Sequence, residues 1–232
     1  MRQSPLKISL FIVFSAFFYS LSSVVLWAGE NSKASTLNYF PIDSFVHSGE
    51  TLDLASLSKK EINSNLKRFL KLKKNASTEK LKEPLNLALG YLYFINEEFE
   101  LAIQTLDNRI SDKFFLGDYS IEILSKSLSR LAEKNLKKAN YSKAIKNLDQ
   151  AEKLRLQLLQ DFPGSPFIQT LAVELSELER IKGRVYSAQK KFDKSILFYR
   201  RALVRDLESS ERRSSLLIEL AELYQTINKI PE

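Results

Sequence analysis

The chain has 232 residues, with 35 Lys+Arg against 28 Asp+Glu, a net charge of +7 and 44% hydrophobic residues, a composition that folds rather than stays disordered. Six Gly and six Pro are too few for the frequent turns of an all-β chain. The absence of Cys excludes a disulfide framework, a thiol nucleophile and a Cys-based zinc site, the single His47 excludes a His-cluster metal site, and the glycines form neither a GxGxxG nor a GxxxxGK loop.

Arg2 and Lys7 open the chain, and residues 8–28 then run without a charge. This reads as an export signal or a membrane anchor over residues 1–28, outside the folded domain. Residues 10–19 have the length of a signal's apolar core, Ser20, Ser22 and Ser23 follow, and Ala28-Gly29 offers a small-residue cleavage site. Against cleavage, the whole stretch reaches the roughly 20 residues that span a bilayer. Leu26 and Trp27 also fit poorly just before Ala28. Both readings stay open and agree on direction. The positive residues remain inside, residues 29–58 carry Lys33 as their one positive side chain, and the remainder is translocated. The expected location is a bacterial periplasm, free or held at the inner membrane. Residues 29–56 lack a sustained period and read as a linker. His47 lies there and reads as a loop residue.

Residues 57–82 read as a basic amphipathic helix. Ser58 and Glu61 form a capping-box pattern, and Ile62, Leu66, Phe69 and Leu70 follow at helical spacing. Nine Lys/Arg and two Glu lie within 59–82, so this segment carries as much net charge as the whole chain. The lysines either keep the helix soluble or, through Lys67, Arg68, Lys71 and Lys74, hold an anionic lipid or wall polymer. Nucleic acid is not expected, because no aromatic stacking platform interleaves the basic residues.

Residues 83–232 repeat themselves. Leu89-Gly90-x-x-Tyr93 is followed by Phe99-x-x-Ala102-x-x-x-Leu106. Leu131-Ala132 is followed by Tyr141-x-x-Ala144-x-x-x-Leu148-x-x-Ala151, and Gly183-x-x-Tyr186 by Phe192-x-x-Ser195-x-x-x-Tyr199-x-x-Ala202. A half-unit, Leu220-Ala221-x-x-Tyr224, comes last. The order and spacing resemble the tetratricopeptide repeat family. The resemblance implies an all-α fold, a helix-turn-helix α-solenoid of about three and a half units of the kind the family builds from 34-residue repeats. Units start at 83, 125, 176 and 214 in this register, so each interval exceeds the family's length. Asn135 stands where Tyr is expected and Lys182 where Leu is expected; no unit has the family's Trp, and the closing Pro of unit two is displaced to Pro163. The extra residues are expected to lengthen helices, with Ser165-Pro166 starting a new one. Small residues at position 8 (Gly90, Ala132, Gly183, Ala221) and position 20 let paired helices approach closely. The final helix, about 210–228, reads as a charged, solvent-facing cap.

The family's concave face, carried onto this register, falls on Leu87, Tyr91, Phe94 and Ile95 in unit one. A polar stripe of Lys126, Glu133, Arg180, Arg184 and Glu222 continues it. The apolar part either anchors a ligand or is covered by Ile62, Leu66 and Phe69. Arg180 and Arg184, four apart, either grip a carboxylate together or pair within the array, as Glu177 with Arg180 and Glu133 with Lys137. The family's clamp for chaperone tails needs Lys and Asn where this chain has Leu87 and Tyr91, and is not expected. Resemblance and export together imply a non-enzymatic scaffold of the cell envelope that binds a partner protein's peptide or helix in the groove. No catalytic residue, cofactor, metal or nucleic acid is expected.

Overall fold

The computed structural model describes residues 58–76, 79–106, 117–206 and 209–228. Residues 1–28 and the linker 29–56, His47 included, lie outside them. The described residues are all-α, as the sequence implies: α1 (Lys59–Asn75), α2 (Glu79–Ile95), α3 (Phe99–Leu106), α4 (Gly117–Lys137), α5 (Tyr141–Asp161), a 3₁₀ turn (Pro166–Thr170), α6 (Leu171–Ala188), α7 (Phe192–Arg205) and α8 (Ser210–Asn228). Among the described residues, no helix is long and apolar enough to cross a membrane.

The capping box that starts α1 is present. The Ser58 N–H donates to Glu61 Oε2 at 2.8 Å, and the Glu61 N–H donates to Ser58 Oγ at 3.4 Å. The Ser58 hydroxyl, which also donates to Glu61 Oε2 at 2.6 Å, and then the Ser58 N–H hold the Glu61 carboxyl below its ordinary range. α1 ends at Asn75 and α2 begins at Glu79, so Lys80 and Lys82 of the expected 57–82 segment belong to the next helix.

Three helix-turn-helix hairpins follow, α2–α3, α4–α5 and α6–α7. Their turns share one bonding pattern. Glu97, Ala139 and Lys190 sit in the left-handed region at φ 61, 57 and 60°. The next N–H in each turn, from Glu98, Asn140 and Lys191, donates back to Tyr93, Asn135 and Tyr186 at 2.9, 2.8 and 2.9 Å. Each turn therefore ends its first helix in a Schellman motif, built here without glycine. The three turns recur at the same 42- and 51-residue intervals as the sequence register.

Inside two hairpins a glycine permits close approach. A Cβ on Gly90 would lie 2.6 Å from Leu106 Cγ, and one on Gly183 would lie 3.1 Å from the Tyr199 ring. Ser195 Oγ donates to the Gly183 carbonyl at 2.8 Å, satisfying an oxygen that the same approach buries. Each helix packs on its neighbours in the chain, and α2 with α4 and α4 with α6 also touch. The main core joins α3 to α6 through Leu106, Leu124, Leu128, Leu148 and Ile181, and a smaller one joins α7 to α8. A leucine buried as fully as Leu148 stabilises the fold by about 2 kcal/mol. Ser165 caps the 3₁₀ turn, its Oγ accepting from the Phe167 N–H at 3.3 Å, and α6 starts only at Leu171.

Candidate functional site

A cleft of about 410 Å³ opens between α6, α7 and α8, lined by Arg180, Arg184, Ser187, Tyr199, Glu219, Glu222, Leu223 and Thr226. The local sequence explains the lining. Arg180, Arg184 and Ser187 recur at helical spacing on one face of α6, while Leu178, Ile181 and Val185 are buried on another. On α8, Glu219, Glu222 and Thr226 recur in the same way.

Arg180 is committed to the fold. Its Nε donates to Glu219 Oε1 at 2.9 Å, with a second, shorter contact from Nη2 to the same oxygen. Nη1 reaches Glu177 Oε2 at 3.4 Å and Nη2 reaches Ser215 Oγ at 3.2 Å. The guanidinium is a strut between α6 and α8, so the paired grip by Arg180 and Arg184 does not form. Burial holds the Glu177 carboxyl above its ordinary range despite Arg180. Burial, reinforced by the Glu219 charge, pushes the Tyr199 phenol upward, so it stays protonated at neutral pH. Arg184 and Glu222 are exposed and form no hydrogen bond or ion pair through their side chains among the described residues. The cleft thus offers a ligand one cation and one anion, about Tyr199.

Of the sequence-derived groove residues, the fold brings Arg180, Arg184 and Glu222 together. Lys126 lies elsewhere, paired with Glu122 at 2.7 Å and Glu174 at 3.6 Å. Glu133 is half-buried and binds Arg130 at 3.1 Å, not Lys137. Tyr91 and Phe94 lie on α2, both partly buried, with Phe94 against Phe99 at 5.9 Å between ring centroids. α1 does cover α2 with Ile62, Leu66 and Phe69, but mostly on another face. It packs on Leu89, Leu92, Tyr93 and Ile95, and only Ile95 belongs to the apolar groove positions. Lys67, Lys71 and Lys74 are exposed on α1, and Arg68 is half-buried.

The register missed a set of buried charges. Arg155 is 2% exposed and its guanidinium contacts both Glu122 and Glu174, the latter at 3.2 Å. With Lys126, two cations and two anions tie α4, α5 and α6 together. Burial alone would raise the Glu122 carboxyl, but Arg155 and Lys126 outweigh it and hold the group below its ordinary range. Nearby, Ser165 Oγ donates to Asp118 Oδ2 at 2.8 Å. Lys182, in the place of the family's Leu, reaches back to Asp149 and Glu152 on α5, each at 2.6 Å, and lies 5.5 Å from the Phe198 ring. One signal was present in the sequence: Arg155 falls on the Ala144, Leu148, Ala151, Leu158 stripe of α5, all buried. A charge on such a stripe implies a buried partner.

Among the described residues, no cluster of Asp, Glu or His could hold a metal ion. Compared with family models, curated proteins and solved structures, the chain matches none.

Proposed function

We propose that this protein is a non-enzymatic interaction scaffold of the tetratricopeptide-repeat type, which holds a segment of a partner protein in the α6–α7–α8 cleft. Export by residues 1–28 places it in the cell envelope. The observation that carries the reading is the contrast between two arginines on one helix face. Arg180 spends all its nitrogens inside the fold, whereas Arg184 on α6 and Glu222 on α8 are exposed and have no side-chain hydrogen bond or ion pair among the described residues. Such a cleft fits a segment presenting a carboxylate to Arg184 and a basic or amide group to Glu222. The recurrent turns and the glycine contacts at positions 8 support the repeat assignment.

The test is site-specific photocrosslinking in producing cells with the probe at Ser187, followed by mass spectrometry. The expected result is a discrete protein adduct that disappears when Arg184→Glu is added in the same chain. No protein adduct from Ser187 or Thr226, or one indifferent to Arg184→Glu, would remove the cleft as the site.

A second reading rests on α1, whose buried Ile62 and Leu66 turn Lys59, Lys60, Lys67, Lys71 and Lys74 outward. That face would hold an anionic lipid or wall polymer, independently of the cleft. Binding to vesicles rich in phosphatidylglycerol should fall steeply between low and physiological salt, and salt-insensitive binding or none counts against it.

A further inference from the structure

The three hairpins use one face of each first helix to receive the second helix. On α6 that face is Ser176, Glu179, Gly183 and Tyr186. Ser176 Oγ donates to the Ala202 carbonyl at 2.9 Å, Glu179 binds Arg205 at 3.0 Å, Gly183 lies under Tyr199, and Tyr186 stacks on Phe198 at 5.3 Å. On α4 the equivalent residues are Ser125, Leu128, Ala132 and Asn135, the first three at most 2% exposed. On α8 they are Ser214, Leu217, Ala221 and Tyr224.

α8 buries its other side, Leu216 and Leu223, against α7. The receiving face stays open: Leu217 is 52% exposed, Tyr224 39%, and Ser214 and Ala221 are exposed too. Tyr224 makes one polar contact there, its hydroxyl accepting from Arg200 Nη2 at 3.1 Å. The charged, solvent-facing cap expected of this helix is therefore apolar on the side that matters. Of its charges, Glu219 turns back to Arg180, Arg212 to Asp206, and Arg213 to the carbonyls of Leu203 and Asp206, while Glu211 and Glu222 are exposed.

We propose that the Leu217–Ala221–Tyr224 face of α8 is a docking site for an amphipathic helix of a partner protein, which completes a fourth hairpin. The molecule itself shows the chemistry of the occupant. Ser125, Leu128 and Ala132 of α4 are matched residue for residue by Ser214, Leu217 and Ala221 of α8. The α4 face is covered by α5 through Ala144, Leu148 and Ala151, so the partner helix carries a small-x-x-x-Leu-x-x-small stripe. The described helices of a folded second copy have no such stripe free. The corresponding stripes, Ala102–Leu106, Ala144–Leu148–Ala151 and Ser195–Tyr199–Ala202, are already buried in their own hairpins. This surface is separate from the α6–α7–α8 cleft, and neither proposal depends on the other.

The test uses the full chain and a fluorescein-labelled peptide of residues 140–161, the segment that covers the matching α4 face. Fluorescence anisotropy should show saturable binding. Ala221→Trp, which fills the small position, and Leu217→Glu should each weaken it at least tenfold. Leu148→Asp in the peptide should abolish it, and Arg184→Glu in the protein should leave it unchanged. Absence of binding, binding indifferent to Ala221→Trp, or binding lost in Arg184→Glu would overturn the proposal. So would a homodimer in sedimentation velocity that Ala221→Trp dissociates, because the occupant would then be a second copy.

Discussion

Replacing Gly90 by Ala tests the close approach on which a hairpin depends. Two effects oppose each other. In a helix interior, Ala is favoured over Gly by about 1 kcal/mol. Against that, the new Cβ would lie 2.6, 2.7 and 2.9 Å from Cγ, Cδ1 and Cδ2 of Leu106, where ordinary carbon contacts need about 3.5–4.0 Å. The overlap involves the whole branched end of a side chain that is 3% exposed, so Leu106 has no open space to retreat into. The overpacking cost then sits at the upper end of its usual range, about 3 kcal/mol. The net expectation is a loss of about 2 kcal/mol, or a fall in Tm of roughly 4–8 °C for a chain of this size. Gly183→Ala is the graded comparison. Its Cβ would meet the Tyr199 ring at 3.1–3.2 Å, an overlap of a few tenths of an ångström, so cost and helical gain should nearly cancel. Gly164→Ala, with nothing within 4 Å, is the neutral control. Urea unfolding followed by far-UV circular dichroism measures all three. The cost of Gly90→Ala should also shrink in a Leu106→Ala background, since the two groups share one space. If Gly90→Ala is as stable as the wild type, or more so, α2 and α3 do not approach at this position.

The buried charges make two further predictions. Arg155→Met keeps bulk but leaves Glu122 facing burial with Lys126 alone, and should destabilise by about 3 kcal/mol at pH 7. Glu122 is held below its ordinary range, so its contribution is present above the unfolded carboxylate pKa and lost as pH falls through the folded one; the gap between Arg155→Met and wild type should narrow in urea melts run towards pH 3. Asp118 has the opposite sign. Burial, only partly offset by the Ser165 hydroxyl and backbone bonds, raises its carboxyl, so ionisation at neutral pH weakens the fold and protonation relieves it. Asp118→Asn should therefore stabilise at pH 7, with the advantage fading below the ordinary Asp pKa; an advantage equal at both pH values would show that charge is not its cause.

The hairpins were legible in the sequence because each is a local device. The small position 8 and the large position 24 lie within one unit, and Gly90 with Leu106 or Gly183 with Tyr199 can be paired by counting, whereas the turn residues Glu97, Ala139 and Lys190 carry no glycine signal. The start of α1 was legible for the same reason, since Ser58 and Glu61 bond across one turn. The cleft was legible only in part. Spacing placed Arg180 and Arg184 on one face, but it gave no distance from Arg180 to Glu219, 39 residues later, and so could not separate the structural arginine from the exposed one. Covering of α2 by α1 was anticipated, yet its face was not, because a helix's azimuth on its neighbour is set by packing rather than by its own stripe.

The long intervals between units supply the last step. Counting 34 positions from each start leaves residues 117–124, 159–175 and 210–213 outside any unit, and the first two flank the second hairpin. The first extends α4 at its N-terminus, and the second holds the end of α5, a turn at 162–165, the 3₁₀ turn and the first residues of α6. Glu122, Glu174, Asp118 and Ser165 all fall in them, and Arg155 lies near the end of the second unit. The added residues therefore build one more layer between the second and third hairpins, in which Asp118 and Glu122 are buried beside Ile121, Leu124, Leu171 and Leu175. A register made of small and large apolar positions has no place for such a layer. A buried Arg with two carboxylates on different helices adds little net stability against an apolar replacement, but it penalises every packing that leaves one charge unpaired. Arg155 has its partners where α4, α5 and α6 meet, so a packing that separates these helices leaves a buried charge unpaired.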